Sequence, residues 1–266
     1  MHTPLQKYFS QRIKNLFNSL HEFELTGSES SMHDFRVEIK KLRAVEKFLK
    51  KIYPKKEIKK SVHLLRAIFY AGGEIREFQL MQRWLRKSNL PVLENNYFPE
   101  ETLQDMIVAF RTSAHRYKKD LSGIIEILNK YVPVTNRILA EQYFTDVHAR
   151  IQENILHNPG SAEWHELRKL LKQWMYVNDW VEHKNKEEND FLFSYYNRLQ
   201  EAIGQWHDLE MVKHHFAQKQ IYLSQDIEVQ KEFGIAWNKL TRQFKQKERS
   251  VEMLFAKYPE NKPEQA

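Results

Sequence analysis

The sequence predicts an all-α protein, and three observations point to that class. Glycine and proline make up only 15 of the 266 residues, about half the usual share, which disfavours a turn-rich β fold. Phe35, Ile39, Leu42, Val45 and Leu49 recur at the three- and four-residue spacing of an amphipathic helix. No segment of five or more residues alternates apolar and polar side chains as a half-buried strand does.

The chain contains an internal repeat. His33–Lys40 resembles His165–Lys172, and Gly73–Glu77 resembles Gly204–Asp208, at offsets of 132 and 131 residues. Because two matches in the same order at nearly one offset rarely arise by chance, we expect two repeats, 1–132 and 133–266. Each should hold five helices, at 4–25, 31–52, 55–71, 73–88 and 100–130 in the first and at 135–157, 161–184, 187–203, 205–220 and 225–257 in the second.

The breaks between these helices coincide with residues that end helices. Pro54 ends the second helix, and a loop is expected between Pro91 and Pro99. The first break is Gly27–Ser30, where Ser30 or Ser31 can cap the next helix. The remaining breaks are Val132-Pro133, which divides the two repeats, and Asn158–Ser161, which is the second repeat's version of the Gly27 break.

A row of basic side chains runs beside the apolar face of the second helix. His33, Arg36, Lys40, Arg43 and Lys47 are spaced by 3, 4, 3 and 4 residues, so they share one helix face. We call them the first basic row. No acidic residue interrupts the row, although exposed helix faces usually mix both signs. Either an anion binds along this face or acidic residues of other helices neutralise it, and we favour the anion.

The second repeat carries a shorter version, the second basic row. It consists of His165, Arg168 and Lys172, after which Met175 replaces the last base. The long last helices add cations in matching register: Arg111 and Lys118 in the first repeat, and Arg242 and Arg249 in the second. Ordinary exposed cations are the alternative, but the match in register favours binding residues.

Composition limits the function classes. The net charge is +7, and residues 1–133 hold 24 basic against 15 acidic side chains, which suggests a polyanionic partner or simply a soluble surface. The absence of cysteine excludes disulfides and thiolate chemistry and agrees with a cytoplasmic protein. We expect no metal site, no cofactor and no membrane span, while the oligomeric state stays open.

Four segments give the chain a family resemblance. They are His33-Asp34-Phe35-Arg36 followed by Lys40-Lys41-Leu42-Arg43, His165-Glu166-Leu167-Arg168 followed by Lys172, Gly73-Glu74-Ile75-Arg76-Glu77, and Gly204-Gln205-Trp206-His207-Asp208. On these residues the chain resembles the CHAD domain, the conserved histidine α-helical domain, over essentially its whole length. The two glycine segments look like the turn that this family has in each half. Gln173 and Met175 depart from the second signature, Glu77 stands where the family usually has Asp, and His207 stands in an Arg/Asn position. The N-terminal repeat is therefore expected to contribute more to binding.

The resemblance implies two pseudo-symmetric four-helix bundles flanking a central basic groove or pore. It also implies binding of inorganic polyphosphate, or another phosphate-rich polyanion, without catalysis, and association with polyphosphate granules. The expected binding residues are His33, Arg36, Lys40, Arg43, Lys47, Arg76, Arg111, Lys118, His165, Arg168, Lys172, His207, Arg242 and Arg249. Charge reversal at Arg36 and Lys40 is expected to abolish binding while leaving stability unchanged.

Two other function classes stay open. An RNA or DNA binder would also use the basic rows, and six tryptophans could stack on bases, but no known nucleic-acid-binding signature is present. A metal-dependent phosphoanhydride hydrolase would need clustered carboxylates, whereas Asp34, Glu77, Glu166 and Asp208 occur singly beside basic residues. His33 and His165 could act as phosphate ligands, as structural residues or as metal ligands, in decreasing order of preference.

Overall fold

The computed structural model describes residues 3–157, 159–181 and 186–258. Within these ranges the chain is helical and contains no strand, which confirms the all-α class. The α-helices are α1 (Pro4–Thr26), α2 (Glu29–Ile52), α3 (Lys56–Ser88), α4 (Pro91–Tyr97), α5 (Glu100–Asn129), α6 (Arg137–Leu156), α7 (Ser161–Asn178), α8 (Lys186–Gln218) and α9 (Ile227–Phe255). Short 3-10 helices occupy Val132–Val134 and Ile221–Leu223.

Helix ends follow local side-chain chemistry. Thr3 and Gln6 form a capping box at the start of α1, each side chain bonding the other residue's backbone N–H. Gly27, at φ 63°, ends α1 in the left-handed conformation that glycine adopts most easily. Ser28 caps α2 through the N–H of Ser31, so the cap lies two residues before the earliest predicted one.

Three predicted interruptions are wrong. α3 runs through Gly73 and α8 runs through Gly204 without a turn. The segment between Pro91 and Pro99 holds the short helix α4, because Pro91 at its first position needs no hydrogen-bond partner for its nitrogen. α7 ends at Asn178, and residues 182–184 of the predicted helix lie outside the described residues.

The chain divides into two compact units. Unit 1 comprises Met1–Gln79, Glu100–Phe144 and Tyr176–Glu182, and unit 2 comprises Leu80–Pro99, Thr145–Met175 and His183–Ala266. These units are a different division of the chain from the two sequence repeats, 1–132 and 133–266, which stay a prediction. The pseudo-symmetric bundles and the central groove also stay predictions.

In unit 1, α1 packs against α2 over a fully buried apolar core. The predicted core face of α2 is confirmed, since Phe35, Ile39, Leu42, Val45 and Leu49 are all at most 1% exposed. Phe110 of α5 meets Phe35 edge-on, with ring centres 6.1 Å apart. Burial of this face fixes the rotation of α2, and the adjacent first basic row turns away from the core as a consequence.

In unit 2, α8 packs against α9. Leu167, Leu171 and Trp174 of α7 are buried, and Trp174 meets Tyr196 edge-on, with ring centres 5.1 Å apart. Trp164 and Trp206 form a second edge-on pair at 5.0 Å. These aromatic contacts fix the rotation of α7 and thereby the position of the second basic row.

Candidate basic site in unit 1

The first basic row lies along α2 at the boundary between the core and the surface. His33 and Lys47, at its two ends, are exposed, whereas Arg36, Lys40 and Arg43 are half-buried. The half-buried positions lie opposite α3, whose residues determine the surroundings of these three cations.

The ring of Phe69 on α3 gathers the three half-buried cations. The Arg36 Cζ lies 4.0 Å from the ring centre, the Arg43 Cζ 5.4 Å and the Lys40 Nζ 5.6 Å. All three distances are within the range in which a cation is attracted to an aromatic face. Phe69 therefore organises the middle of the row.

Arg36 is fixed by a backbone carbonyl of α3. Its Nη1 donates a hydrogen bond of 2.6 Å to the carbonyl oxygen of Phe69. A Cβ on Gly73 would lie only 2.9 Å from the same Nη1, so the guanidinium reaches this carbonyl because residue 73 is glycine. Burial lowers the pKa of Arg36 to about 10, Glu77 opposes this shift, and Arg76 adds to it.

The second repeat builds the same contact within unit 2. The Nε of Arg168 donates to the carbonyl oxygen of Gln200 at 3.1 Å, and a Cβ on Gly204 would lie 2.9 Å from its Nη2. In both copies the accepting carbonyl is four residues before the glycine. Gly73 and Gly204, which were expected to form turns, lie within continuous helices and leave room for an arginine side chain from the neighbouring helix.

Cations of α3 lie close enough to α2 to lower the pKa values of two of its basic side chains. Burial and then Arg66 lower the pKa of Arg43, while burial and then Arg76 lower the pKa of His33. The sequence analysis missed Arg66, although Lys59, His63 and Arg66 recur at helical spacing and are all exposed. The site therefore involves two helices.

Three predicted binding residues of unit 1 bond acidic or backbone groups of the protein itself. Arg76 forms an ion pair with Glu29 at the start of α2. The Nε of Arg111 donates to the carbonyl oxygen of Phe23 at 3.4 Å, and Lys118 pairs with Glu24 at 2.5 Å. Arg111 and Lys118 thus attach α5 to the last turns of α1.

The second basic row begins beside a histidine of α8. His165 lies 4.6 Å from His207 between ring centres, and burial followed by His207 lowers the pKa of His165 to about 4. The Nδ1 of His207 lies 3.0 Å from Glu210. Lys172 is half-buried, while Met175 and Gln173 are buried, so the row ends at Lys172.

Arg242 and Arg249 are exposed on α9. Within the described ranges neither forms a hydrogen bond or an ion pair. Their role in binding therefore stays a prediction.

The contacts bring the predicted residues together in two groups. In unit 1 the group is His33, Arg36, Lys40, Arg43 and Arg76, and in unit 2 it is His165, Arg168 and His207.

Most tryptophans are structural. Trp164, Trp174, Trp180 and Trp206 are at most 4% exposed, and half-buried Trp84 donates to Gln243. Trp237 is 39% exposed, beneath the ammonium of Lys213. These positions leave little indole surface for stacking on bases.

The described residues hold no group of three or more histidine or acidic side chains placed to bind a metal ion. In the same part of the chain, no helix is both long and apolar enough to cross a membrane.

Comparisons with known proteins agree with this architecture. The family model described as CHAD domain matches residues 11–217. The crystal structure of the CHAD domain from the plant Ricinus communis has a similar fold, with a TM-score of 0.73 and 14% sequence identity. The match covers 97% of this chain and 93% of that one, and at this identity it bears on the fold alone. A comparison with curated proteins gave no match.

Proposed function

Because this chain belongs to the CHAD domain family, we propose that it is a non-catalytic module that binds inorganic polyphosphate. One observation carries the proposal: Arg36, Lys40 and Arg43 of α2 converge on the Phe69 ring. Two further cations of α3, Arg66 and Arg76, lie close enough to lower the pKa of their neighbours. A fold that concentrates like charges in this way favours an anionic ligand.

The ligand chemistry matches the side chains. Polyphosphate carries a negative charge on each internal phosphate and has neither bases nor apolar surface, so charge and phosphate hydrogen bonds must provide recognition. Arginine offers a planar fork of donors for phosphate oxygens, and lysine offers a mobile ammonium. Cations spaced along α2 can follow such a chain over several phosphates.

Electrostatic repulsion within the site supports the same conclusion. The pKa values of His33 and Arg43 are lowered by burial and by neighbouring arginines, so the positive forms of these side chains are disfavoured. A bound polyanion would relieve this repulsion and make the cluster favourable. The alternative raised above is that acidic residues of other helices neutralise the row. Arg43 does not support it, because this residue forms no ion pair among the described residues.

The place of action is part of the proposal. Cysteine is absent from the chain, which agrees with a reducing cytoplasm. Membership of the family supports association with polyphosphate granules. Catalysis is not proposed, because Glu77 and Asp208 belong to motifs in which the acidic residue stands next to a basic one in the sequence. Release of phosphate with Mg²⁺ or Mn²⁺, abolished in Asp208→Ala, would contradict this part.

Titration with polyphosphate of defined length tests the function. The double variant Lys40→Gln, Arg43→Gln should bind at least tenfold more weakly, because charge-assisted phosphate hydrogen bonds contribute about 1.5–3 kcal/mol each. The control Arg116→Gln, Lys119→Gln removes the same charge from exposed positions of α5 and should bind as the wild type does. Equal affinity of the two double variants would contradict the proposed site.

Competition at one salt concentration separates polyphosphate from nucleic acid. Long polyphosphate should displace mixed RNA at equal phosphate concentration, since the buried tryptophans offer RNA little stacking surface. Preferential retention of RNA would favour the nucleic-acid alternative.

A further inference from the structure

Two arginines on facing helices of unit 1 have unused hydrogen-bond donors. The Cζ of Arg43, on α2, lies 5.4 Å from the centre of the Phe69 ring. Arg66 is exposed on α3 and precedes Phe69 by three residues, so it lies one helical turn away on the same face of that helix. Within the described part of the chain, neither guanidinium donates a hydrogen bond or forms an ion pair. Each carries five N–H donors in a planar fork, so together they present an extensive surface for an oxyanion.

The carboxyl group that acts on Arg43 does not neutralise the arginine pair. Glu46 raises the pKa of Arg43 only as a lesser influence after burial and Arg66. It is itself 1% exposed, accepts a hydrogen bond of 2.9 Å from Ser61, and has a pKa raised by burial to about 7. At neutral pH this carboxyl group is therefore only partly ionised, and the repulsion between the two arginines persists.

The contrast with Arg36 separates two roles within one row. Arg36 lies closer to the Phe69 ring and uses its Nη1 on the Phe69 carbonyl, which makes it part of the α2–α3 packing. Arg43 lies over the same ring without such a bond. The ring therefore holds a guanidinium in place while leaving its donors available.

We propose that Arg43 and Arg66 together bind one phosphate group of the polyphosphate chain, and that Phe69 is the positioning residue that holds Arg43. This inference rests on the proposed function and adds α3 to the site. A phosphate group accepts hydrogen bonds from both guanidinium groups and removes the repulsion between them.

The second repeat lacks all three residues. At the offset of 132 that relates the basic rows, Met175 replaces Arg43. At the offset of 131 that relates Gly73 to Gly204, Asn197 replaces Arg66 and Gln200 replaces Phe69. Met175 and Gln200 are both buried. The arginine pair consequently belongs to unit 1 alone, whereas the arginine–carbonyl contact next to the glycine occurs in both repeats.

Single-residue variants titrated with long polyphosphate test the pair. Arg66→Gln and Arg43→Gln should each weaken binding about tenfold and reduce the slope of log affinity against log salt by about one. The double variant should lose less affinity than the product of the two single-variant fold-losses, because both residues bind the same phosphate. The matched control is Arg116→Gln, since Arg116 also lies over an aromatic ring, Tyr117, at 5.4 Å.

The positioning role of Phe69 has its own readout. Phe69→Leu should weaken binding severalfold, Phe69→Tyr should retain it, and Phe69→Leu should cause a smaller loss of affinity when Arg43 is already Gln. Circular dichroism and thermal unfolding establish that each variant is folded. A merely structural role would give the same loss in both backgrounds.

The outcomes distinguish the two proposals. Wild-type protein that does not bind polyphosphate would overturn the proposed function, and the arginine pair with it. Wild-type binding together with Arg66→Gln at wild-type affinity would overturn the pair alone. Losses at Arg66 no greater than at Arg116 would do the same.

Discussion

Arg36 and Arg43, one heptad apart on α2, have different uses. Arg36 bonds the carbonyl of Phe69 and packs beside Gly73, so its charge is part of the structure. Arg43 keeps its donors available beside Arg66. Charge reversal at Arg36 should therefore lower stability, contrary to our expectation from the sequence, whereas Lys40 and Arg43 remain suitable positions for a binding test.

Substitution of Gly73 by alanine tests the structural role of Arg36. Alanine in a helix interior ordinarily gains about 1 kcal/mol over glycine. Here the added Cβ would meet the Arg36 Nη1 at 2.9 Å and displace a charged hydrogen bond, which contributes about 1.5–3 kcal/mol. Gly73→Ala should therefore lower the free energy of unfolding by about 1 kcal/mol in net terms, measured by urea denaturation.

Gly123 is the matched control for this prediction. It lies in α5, and a Cβ there would meet nothing within 4 Å. Gly123→Ala should raise the free energy of unfolding by about 1 kcal/mol. An equal gain at Gly73 would show that the arginine contact contributes nothing to stability.

Glu46 provides a pH-dependent test of stability. Burial raises its pKa from 4.5 to about 7, so the folded state holds the proton more tightly than the unfolded state. The contribution of this proton to the stability of the folded state is fully present below pH 4.5 and is lost as pH rises through 7. Glu46→Gln should be more stable than wild type at pH 8 by up to about 3 kcal/mol, with the gap closing by pH 4.5. A difference independent of pH, measured by denaturation at both values, would contradict the raised pKa.

At the scale of helices, features that depend on local sequence patterns were predicted correctly, whereas features that depend on contacts between distant residues were not. The core face of α2 and the position of the first basic row follow from helical spacing, which is a local property. The glycines of α3 and α8 were misassigned because their purpose depends on an arginine more than 30 residues away. Arg66 was missed for the same reason, since only the packing of α2 against α3 brings it near Arg43.

The difference between α2 and α7 leads to a prediction about two equivalent lysines. Lys40 and Lys172 occupy matching positions and are both half-buried, but the row of Lys40 continues to Arg43 and Lys47, whereas Met175 follows Lys172. Lys40→Glu should reduce polyphosphate affinity at least tenfold and Lys172→Glu only a few-fold. Titrations at one salt concentration measure both, and thermal unfolding checks that the folds are intact. Equal losses would indicate that the two repeats contribute equally.

At the scale of the whole molecule, the net charge of +7 is a poor guide to the ligand surface. Arg76, Arg111 and Lys118 count toward the net charge, but each of them bonds a carboxylate or a backbone carbonyl of the protein itself. In the α2–α3 region, arginines of α3 disfavour the charged forms of His33 and Arg43 on α2. Binding of polyphosphate should therefore favour binding of protons by these side chains, and the reverse.

Polyphosphate affinity should accordingly rise as pH falls from 7.5 to 5.5. Burial and Arg76 lower the pKa of His33 below 6.5, so this imidazole is largely neutral in the unbound protein at pH 7. A polyanion alongside it would raise the pKa again, and the complex would take up a proton that the unbound protein does not hold. Calorimetry in buffers of different ionisation enthalpy measures that uptake directly. His33→Gln should reduce both the uptake and the pH dependence, whereas His214→Gln, at an exposed position of α8, should leave them unchanged. If His33→Gln retains the full pH dependence, His33 is not a phosphate ligand, and its place beside Arg76 serves only the packing of α2 against α3.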